Sequence, residues 1–216
     1  MNLFKMNNKI ACLLCVCLYP TNITSNTSEN RMKQYENGFR KFFEYNFTEK
    51  NIDVYIIDNS IKSIENIPPN ILNTVPNNVT FICHTNNQYG CKNKGSGLIE
   101  NWLVCKEVLK QYDWIIHFEP RQLLKNFDFF DSFFKNPRNL FTMGKENNHF
   151  NTGLFCIQTN ILLNYISTVN LQEMVFKYIS IEYDIYDFFI KNNIYYDLEN
   201  KMNLIWYATE KLIFDM

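Results

Sequence analysis

The stretch Asp113-Trp-Ile-Ile-His-Phe-Glu-Pro-Arg121 decides the fold, because its apolar run turns polar within a few residues. Trp114–Ile116 has the continuous apolar character of a strand that is buried on both faces of a parallel sheet. Pro120 has no N–H for the sheet ladder, so the strand is predicted to end there. Because side chains alternate along a strand, His117 and Glu119 are predicted to point to the same side. Ligands bind at the carboxyl ends of strands in open α/β sheets, so we expect the functional site here.

The residues before this stretch alternate between β-rich runs and helical patterns. Residues 9–19, 53–57 and 79–83 are predicted strands, and residues 29–45 carry apolar side chains at helical spacing. A second helix is predicted after the loop 84–97, from the apolar stripe of Leu98, Trp102, Cys105, Leu109 and Tyr112. This order of strands and helices predicts a doubly wound α/β layer.

The residues after the central strand have weaker patterns. Residues 127–134 are predicted as a short aromatic helix, and residues 139–143 as a strand. The apolar run 154–157 follows, and residues 160–192 have a helical character. We find no internal repeat and no linker, so the chain is expected to form a single domain over residues 1–216.

Composition excludes some partners. The 216-residue chain has 21 basic and 22 acidic residues and a net charge of −1, so it lacks the positive field that holds nucleic acid. The aromatic share of 16% argues against disorder. No apolar run in the sequence is long enough to span a bilayer, so no transmembrane segment is expected.

Seven cysteines, an odd number, lie mostly in apolar runs. Cys12 and Cys15 have the spacing of a redox or metal pair, but their apolar run favours core packing. This cysteine usage predicts a reducing compartment and a cytoplasmic location. A signal peptide is the alternative for the first residues, because Lys5 and Lys9 precede an apolar stretch. We favour a first strand, because no small-residue cleavage site follows.

Two polar segments are candidates for ligand binding. Lys94 and Gly95 lie in the turn that leads into the predicted second helix, where a lysine and a flexible glycine suit a phosphate group. The alternative is that the glycines only allow tight packing. Asp58 and Asn59 follow the second strand, and a carboxylate there can accept hydrogen bonds from a base or a ribose. The alternative is an Asx-turn that ends the strand.

His117 and Glu119 are the strongest candidates for chemistry. A carboxylate suits Mg²⁺ or Mn²⁺, and an imidazole is acceptable to Mn²⁺, so the pair is predicted to bind a divalent metal. Arg121 could stabilise the same negative charge without a metal. The alternative is a satisfied His–Glu pair that closes the end of the strand.

The order of these segments resembles the GT-A nucleotide-sugar glycosyltransferases. That resemblance implies a Rossmann-like, three-layer α/β/α sandwich with a mostly parallel central sheet. His117-Phe-Glu119 takes the place of the Asp-x-Asp motif that holds metal and diphosphate in that family. The resemblance also places Thr21 and Asp58 near the nucleobase, Lys94 near the diphosphate, and Asn151-Thr152-Gly153 near the acceptor or donor sugar.

The resemblance implies sugar transfer from a UDP- or GDP-sugar to a glycan or other hydroxyl acceptor. Residues 9–120 would bind the nucleotide, residues 121–216 would form the acceptor side, and Glu119 and a base, Asp184, would be catalytic. Glu182 and Asp187 are further candidates for the base, and a solvated helix face is the alternative for all three carboxylates. Two other functions stay open: a sugar-phosphate nucleotidyltransferase, and a non-catalytic domain that binds glycans or a partner.

Overall fold

A computed structural model describes residues 8–20, 25–50, 52–207 and 213–215. The strands are β1 (Ile10–Val16), β2 (Ile52–Asp58), β3 (Thr80–Cys83), β4 (Trp114–Phe118), β5 (Leu123–Leu124), β6 (Leu140–Phe141), β7 (Leu154–Gln158), β8 (Asp197–Leu198), β9 (Leu204–Tyr207) and β10 (Ile213–Asp215). The α-helices are α1 (Ser25–Phe43), α2 (Pro69–Leu72), α3 (Lys94–Val104), α4 (Lys106–Leu109), α5 (Asp128–Lys135), α6 (Thr159–Thr168), α7 (Leu171–Lys177) and α8 (Ile181–Lys191). Thr21, predicted to lie near the nucleobase, is outside the described residues.

A seven-stranded central sheet has the order β3-β2-β1-β4-β7-β6-β8. β1 pairs in parallel with β2 and β4, and β2 pairs in parallel with β3, so the carboxyl ends of these four strands share one edge. β7 runs antiparallel to β4 and β6, which places the start of β7 at the same edge. β8 is parallel to β6. The predicted mostly parallel α/β sheet is therefore confirmed.

Alternation along β1 divides the core into two layers of side chains. Cys12 and Leu14 belong to the cluster that contains Phe39 and Phe42 of α1. Leu13, Cys15 and Ala11 belong to the cluster on the other face, which contains side chains of α3, α6 and α8. Helices therefore cover both faces of the sheet, and the three-layer prediction is confirmed. Cys12 and Cys15 point to opposite faces as buried core residues, as the core-packing interpretation expects.

The boundaries of several predicted elements were wrong. The second helix begins at Lys94, so the glycines expected in a turn lie in its first turn, where the Asn93 side chain accepts a hydrogen bond from the Ser96 N–H. The helical pattern over residues 160–192 is three helices, α6, α7 and α8. Tyr178 ends α7 in the left-handed conformation, with φ of 54°, which turns the chain toward α8.

Short strands complete the C-terminal part. β5, β9 and β10 form a second, antiparallel sheet that the sequence did not predict. β5 begins two residues after Arg121, so the chain that leaves the central strand is held by β9. Within the described ranges, none of the helices is long and apolar enough to cross a membrane.

Candidate active site

Glu119 lies at the shared carboxyl edge, directly after β4. Its backbone N–H donates to the Gly153 carbonyl at 2.8 Å, which joins it to the segment before β7. One carboxylate oxygen, Oε1, accepts from Arg121 Nε at 3.3 Å and forms an ion pair with Nη2 at 3.2 Å. The other oxygen, Oε2, accepts from Gln122 Nε2 at 3.2 Å. The fold therefore brings Glu119, Arg121 and Gly153 together at this edge.

Arg31 of α1 approaches the same edge from the end of β1. Its Nε donates to the Cys17 carbonyl at 3.0 Å, and its Nη2 donates to the Tyr35 hydroxyl at 3.2 Å. The Tyr35 hydroxyl also accepts from the Cys17 N–H at 3.1 Å. These bonds fix the guanidinium beside the neighbouring strand β4.

A glycine explains how α1 comes so close. A Cβ at Gly38 would lie 1.6 Å from the Pro120 carbonyl oxygen, so only glycine fits at this crossing. Arg31 precedes Gly38 by seven residues, which is two helical turns, and therefore lies on the same face of α1. Arg31 was missed from the sequence. The sequence signal for Arg31 was its position in the helix after the first strand, because the connection to that helix starts at the carboxyl edge of the sheet.

The charge on Glu119 is maintained by its neighbours. Burial alone raises the pKa of a carboxyl group, but Arg121 and Arg31, together with His117 and Lys94, outweigh burial and lower the pKa of Glu119. Glu119 is therefore an anion at neutral pH. The negative charge of Glu119 balances only part of the positive charge of these neighbouring side chains.

His117 lies inside the core, with 1% of its surface exposed. Its ring meets the Trp102 ring edge-on at 5.6 Å and lies against the Phe155 ring at 4.9 Å. Burial lowers the pKa of His117 to about 4, although Glu119 acts to raise it, so the imidazole is neutral near pH 7. Its Nδ1 has no hydrogen-bond partner among the described residues.

These residues do not fit a divalent metal held by the protein. Hard cations prefer several oxygen ligands, and both oxygens of Glu119 already accept hydrogen bonds from Arg121 and Gln122. His117 is enclosed by aromatic rings. Across the part of the chain that the structure describes, no group of three His, Cys, Asp or Glu side chains could hold a metal ion.

Asp58 ends β2 with its carboxylate turned into the protein. Oδ1 accepts from the Ser60 N–H at 2.6 Å and from the Ser60 hydroxyl at 2.7 Å, and Oδ2 accepts from the Leu18 N–H at 2.8 Å. This is the Asx-turn that the alternative interpretation describes. Burial raises the pKa of Asp58 despite these hydrogen bonds. The predicted contact of Asp58 with a nucleobase stays a prediction.

Asn59 and the start of α3 lie together beside Asp58. Asn59 is 5% exposed, and its Nδ2 makes long contacts to Asn87 Oδ1 at 3.4 Å and to the Gly97 carbonyl at 3.5 Å. Its Oδ1 has no hydrogen-bond partner in the described part of the chain. Asn59 Oδ1 is therefore a buried acceptor whose hydrogen-bonding capacity is not used by the described residues.

The glycines of α3 serve close packing. A Cβ at Gly95 would lie 2.7 Å from Ile181 Cβ at the start of α8, and a Cβ at Gly97 would lie 2.9 Å from Gly90 Cα. This geometry agrees with the packing alternative, and it turns Gly95 toward α8. Lys94, by contrast, is exposed, and its charge reaches Glu119.

The segment Asn151-Thr152-Gly153 is held firmly beside Glu119. Asn151 Nδ2 donates to Thr142 Oγ1 at 3.0 Å and to the Met143 carbonyl at 2.8 Å. A Cβ at Gly153 would lie 2.4 Å from Gln122 Nε2, so the Gln122 side chain fills the space above this glycine. Gln122 is a second residue of the site that the sequence did not reveal.

Of the three candidate carboxylates on α8, Glu182 is bonded to this segment. Its Oε1 accepts from Thr152 Oγ1 at 2.9 Å, and its Oε2 is bonded to the Ser180 hydroxyl. Asp184, the predicted base, instead accepts from the Tyr165 hydroxyl at 2.8 Å, between α8 and α6. Burial raises the pKa of Asp184.

Comparison with solved structures identifies the fold. A nucleotide-diphospho-sugar transferase from Desulfovibrio desulfuricans G20, described as putative, aligns with a TM-score of 0.58 at 8% identity, over 94% of this chain and 88% of that one. The Pyrobaculum calidifontis mannosyltransferase PcManGT, solved with GDP-Man and Mn²⁺, aligns with a TM-score of 0.61 at 9% identity, over 94% of this chain and 58% of that one. A UTP-bound UGPase from Acinetobacter baumannii aligns with a TM-score of 0.54 at 11% identity, over 90% and 86%.

The chain therefore has a GT-A-like fold, which confirms the fold that the sequence resemblance implied. No family model and no curated protein matches the sequence. At these identities the likeness concerns the fold, and function has to be argued from the site.

Proposed function

We propose that the protein is a glycosyltransferase that moves a sugar from a nucleoside-diphosphate sugar, UDP- or GDP-linked, to a hydroxyl group of a glycan or another acceptor. The observation that carries this proposal is the cluster of Arg31, Arg121 and Glu119 at the carboxyl edge of a GT-A-like sheet. Ligands bind at this edge in open α/β sheets. In the proposal, residues 9–120 bind the nucleotide and residues 121–216 form the acceptor side.

Catalysis in this proposal is positioning combined with electrostatic stabilisation. When the bond between the sugar and the diphosphate breaks, negative charge grows on the departing phosphate oxygens. Arg121 is fixed by Glu119, and Arg31 is fixed by the Cys17 carbonyl and the Tyr35 hydroxyl, so neither guanidinium has to reorganise as the charge develops. Glu119 acts in this scheme as the group that orients Arg121.

The acceptor side is assigned to the segment 151–153 with Glu182. Gly153 is bonded to the Glu119 N–H and Thr152 to Glu182, so a hydroxyl acceptor bound here lies between a carboxylate and the guanidinium groups. For a reaction that inverts the sugar carbon, these contacts favour Glu182 over Asp184 as the general base. Asp184 stays a prediction, and its hydrogen bond to Tyr165 directs it toward α6.

A nucleotidyltransferase is the second candidate, because UGPase has a similar fold. Such an enzyme needs a glycine-rich, basic loop directly after the first strand to hold the triphosphate. The sequence of residues 20–28, which follows the first strand, contains neither Gly nor Lys, which favours the glycosyltransferase. The two activities differ in their products: one releases a nucleoside diphosphate from a nucleotide sugar, and the other releases pyrophosphate from a nucleoside triphosphate.

The experiment is an assay of purified protein against a panel of UDP- and GDP-sugars, with nucleoside diphosphate release measured by chromatography. Each donor is tested with glycan acceptors and with water alone. We expect release from one nucleotide class, and loss of release in Glu119→Ala. The surface variant Arg40→Gln on α1 is the control, because Arg40 pairs only with Glu36 among the contacts described for it. Unchanged turnover in Glu119→Ala would overturn the assigned site.

A further inference from the structure

The charges around Glu119 suit an anionic ligand. Arg31, Arg121 and Lys94 all act on Glu119, while His117 is neutral at pH 7 because its pKa is about 4. Three cations face one carboxylate around Glu119, and Asp58 at the end of β2 adds one further negative charge to the same edge, so positive charge is in excess. A diphosphate group carries negative charge, which this excess attracts. The imbalance is unusual for a chain whose overall net charge is −1.

The two arginines also keep hydrogen-bond donors for a ligand. The hydrogen bonds described for Arg31 use Nε and Nη2, and those of Arg121 with Glu119 use the same two nitrogens. Each guanidinium has five N–H groups, so Nη1 of both side chains adds donors that phosphate oxygens accept. The Arg121–Glu119 pair is partly exposed, with 14% of the Arg121 side chain and 33% of the Glu119 side chain accessible.

The side chains around Glu119 do not offer the set of oxygen ligands that a divalent metal prefers. The oxygens of Glu119 are engaged by Arg121 and Gln122, and His117 is enclosed by the Trp102 and Phe155 rings. A cation placed at Glu119 would also be repelled by the guanidinium group that now lies 3.2 Å from its Oε1. Positive charge at this edge is therefore supplied by side chains.

We propose that Arg31 and Arg121, assisted by Lys94, bind the diphosphate of the donor directly, so that nucleoside diphosphates bind this protein without a divalent metal. This inference rests on the proposed function and names the ligand class and the charge partner of the same site. It replaces the predicted role of His117 and Glu119 as metal ligands. The side chains take the electrostatic role that Mn²⁺ or Mg²⁺ was expected to have.

The test is isothermal titration calorimetry with UDP and GDP, each in excess EDTA and again in Mn²⁺. We expect one diphosphate to bind in EDTA, and added Mn²⁺ to change the dissociation constant by less than about threefold. The matching nucleoside monophosphate should bind at least about tenfold more weakly, because it lacks the second phosphate. Arg31→Gln and Arg121→Gln should each weaken diphosphate binding by about tenfold or more, and Arg40→Gln should not.

Each outcome has a separate meaning. Binding that requires Mn²⁺ and disappears in EDTA would overturn this inference and leave the proposed function intact. No binding of any nucleotide under either condition would overturn the proposed function itself. Arg121→Lys serves as a second variant where Arg121→Gln does not fold, because it keeps the charge and loses the planar fork. Diphosphate affinity that is unchanged in both arginine variants would also overturn the inference.

Discussion

Two carboxylates follow strands at the same edge of the sheet, and their surroundings differ completely. Asp58, the last residue of β2, is 1% exposed and accepts hydrogen bonds from the Leu18 N–H and from both Ser60 donors. Glu119 after β4 is partly open and accepts from Arg121 and Gln122 side chains. Burial raises the pKa of Asp58, whereas the arginines outweigh burial and lower the pKa of Glu119.

An acidic residue at a strand end therefore has two physical outcomes. When backbone N–H groups and a nearby hydroxyl satisfy the carboxylate, it ties two strand ends together, as Asp58 ties the end of β2 to the segment after β1. When arginine side chains satisfy it, the carboxylate orients positive groups that keep further donors. This difference separates a structural brace at Asp58 from a charged site at Glu119.

The largest expected effect is on sugar transfer in Arg121→Gln. Removing one charged donor from an electrostatically organised site lowers turnover by about 10² to 10³-fold. Stability should change by less than about 1 kcal/mol, because the Glu119–Arg121 pair is partly solvated. Steady-state kinetics and urea unfolding of the same preparation measure both quantities. A variant that loses several kcal/mol and keeps its turnover would make Arg121 a structural residue like Asp58.

The reverse pattern is expected for Asp58→Ala. The substitution leaves the buried Leu18 N–H without an acceptor and removes the Asx-turn, so unfolding free energy should fall by about 3 kcal/mol. Asp53→Ala on the same strand is the matched control, because its exposed carboxylate accepts only from the Tyr112 hydroxyl among the described contacts and should cost less than about 1 kcal/mol. Equal losses of unfolding free energy in the two variants, measured by urea denaturation, would contradict the structural role of Asp58.

A third prediction concerns pH and the neutral His117. Histidine titrates near 6.5 in the unfolded chain and at about 4 here, so between these values the unfolded state binds more protons. Stability therefore falls as the pH drops from about 6.5 to 4, by at most about 1.4 kcal/mol per pH unit. His117→Leu should flatten this slope in urea titrations. His84, whose pKa burial also lowers, adds to the slope in the same direction, and Asp58 and Asp184, whose pKa burial raises, oppose it. An unchanged slope would mean that His117 is protonated in the folded protein.

The smallest expected effect is protection of Cys17 from alkylation. Its carbonyl accepts from Arg31, and burial raises the pKa of its thiol, so labelling is slow and is best followed at alkaline pH. A bound diphosphate should slow the labelling of Cys17 a few-fold by covering the edge. Exposed Cys91 provides an internal control in the same mass-spectrometric digest. Equal labelling rates of Cys17 with and without the nucleotide would show that the bound diphosphate does not cover the end of β1.

The central sheet was predictable from the sequence because its strands are long apolar runs separated by clear turns. β1, β2 and β4 each have five to seven residues, and all three lie within or overlap the predicted strands. β5 and β8 have two residues each, which is too short for any periodicity to show, and β6 covers only two residues of the strand predicted over residues 139–143. Their existence depends on tertiary pairing.

The site was predicted in outline, and its charge partners were not. Arg31 acts on Glu119 from α1, and Gly38 lets this helix cross close to Pro120, a contact between residues far apart in sequence. The choice between Glu182 and Asp184 depends on which face of α8 meets Thr152, which spacing alone does not determine. His117 and Glu119 share a strand end as predicted from alternation, but the aromatic rings that enclose His117 come from α3 and β7.

The most direct measurement is a crystal structure of the protein with the bound nucleoside diphosphate, grown in EDTA. The account predicts both phosphates at the carboxyl ends of β1 and β4, with oxygens within about 3.2 Å of Arg31 and Arg121 nitrogens. Asp58 should keep its bonds to Leu18 and Ser60. Phosphates bound elsewhere, or an ion coordinated by Glu119 in crystals grown with Mn²⁺ and needed for the nucleotide to bind, would contradict it.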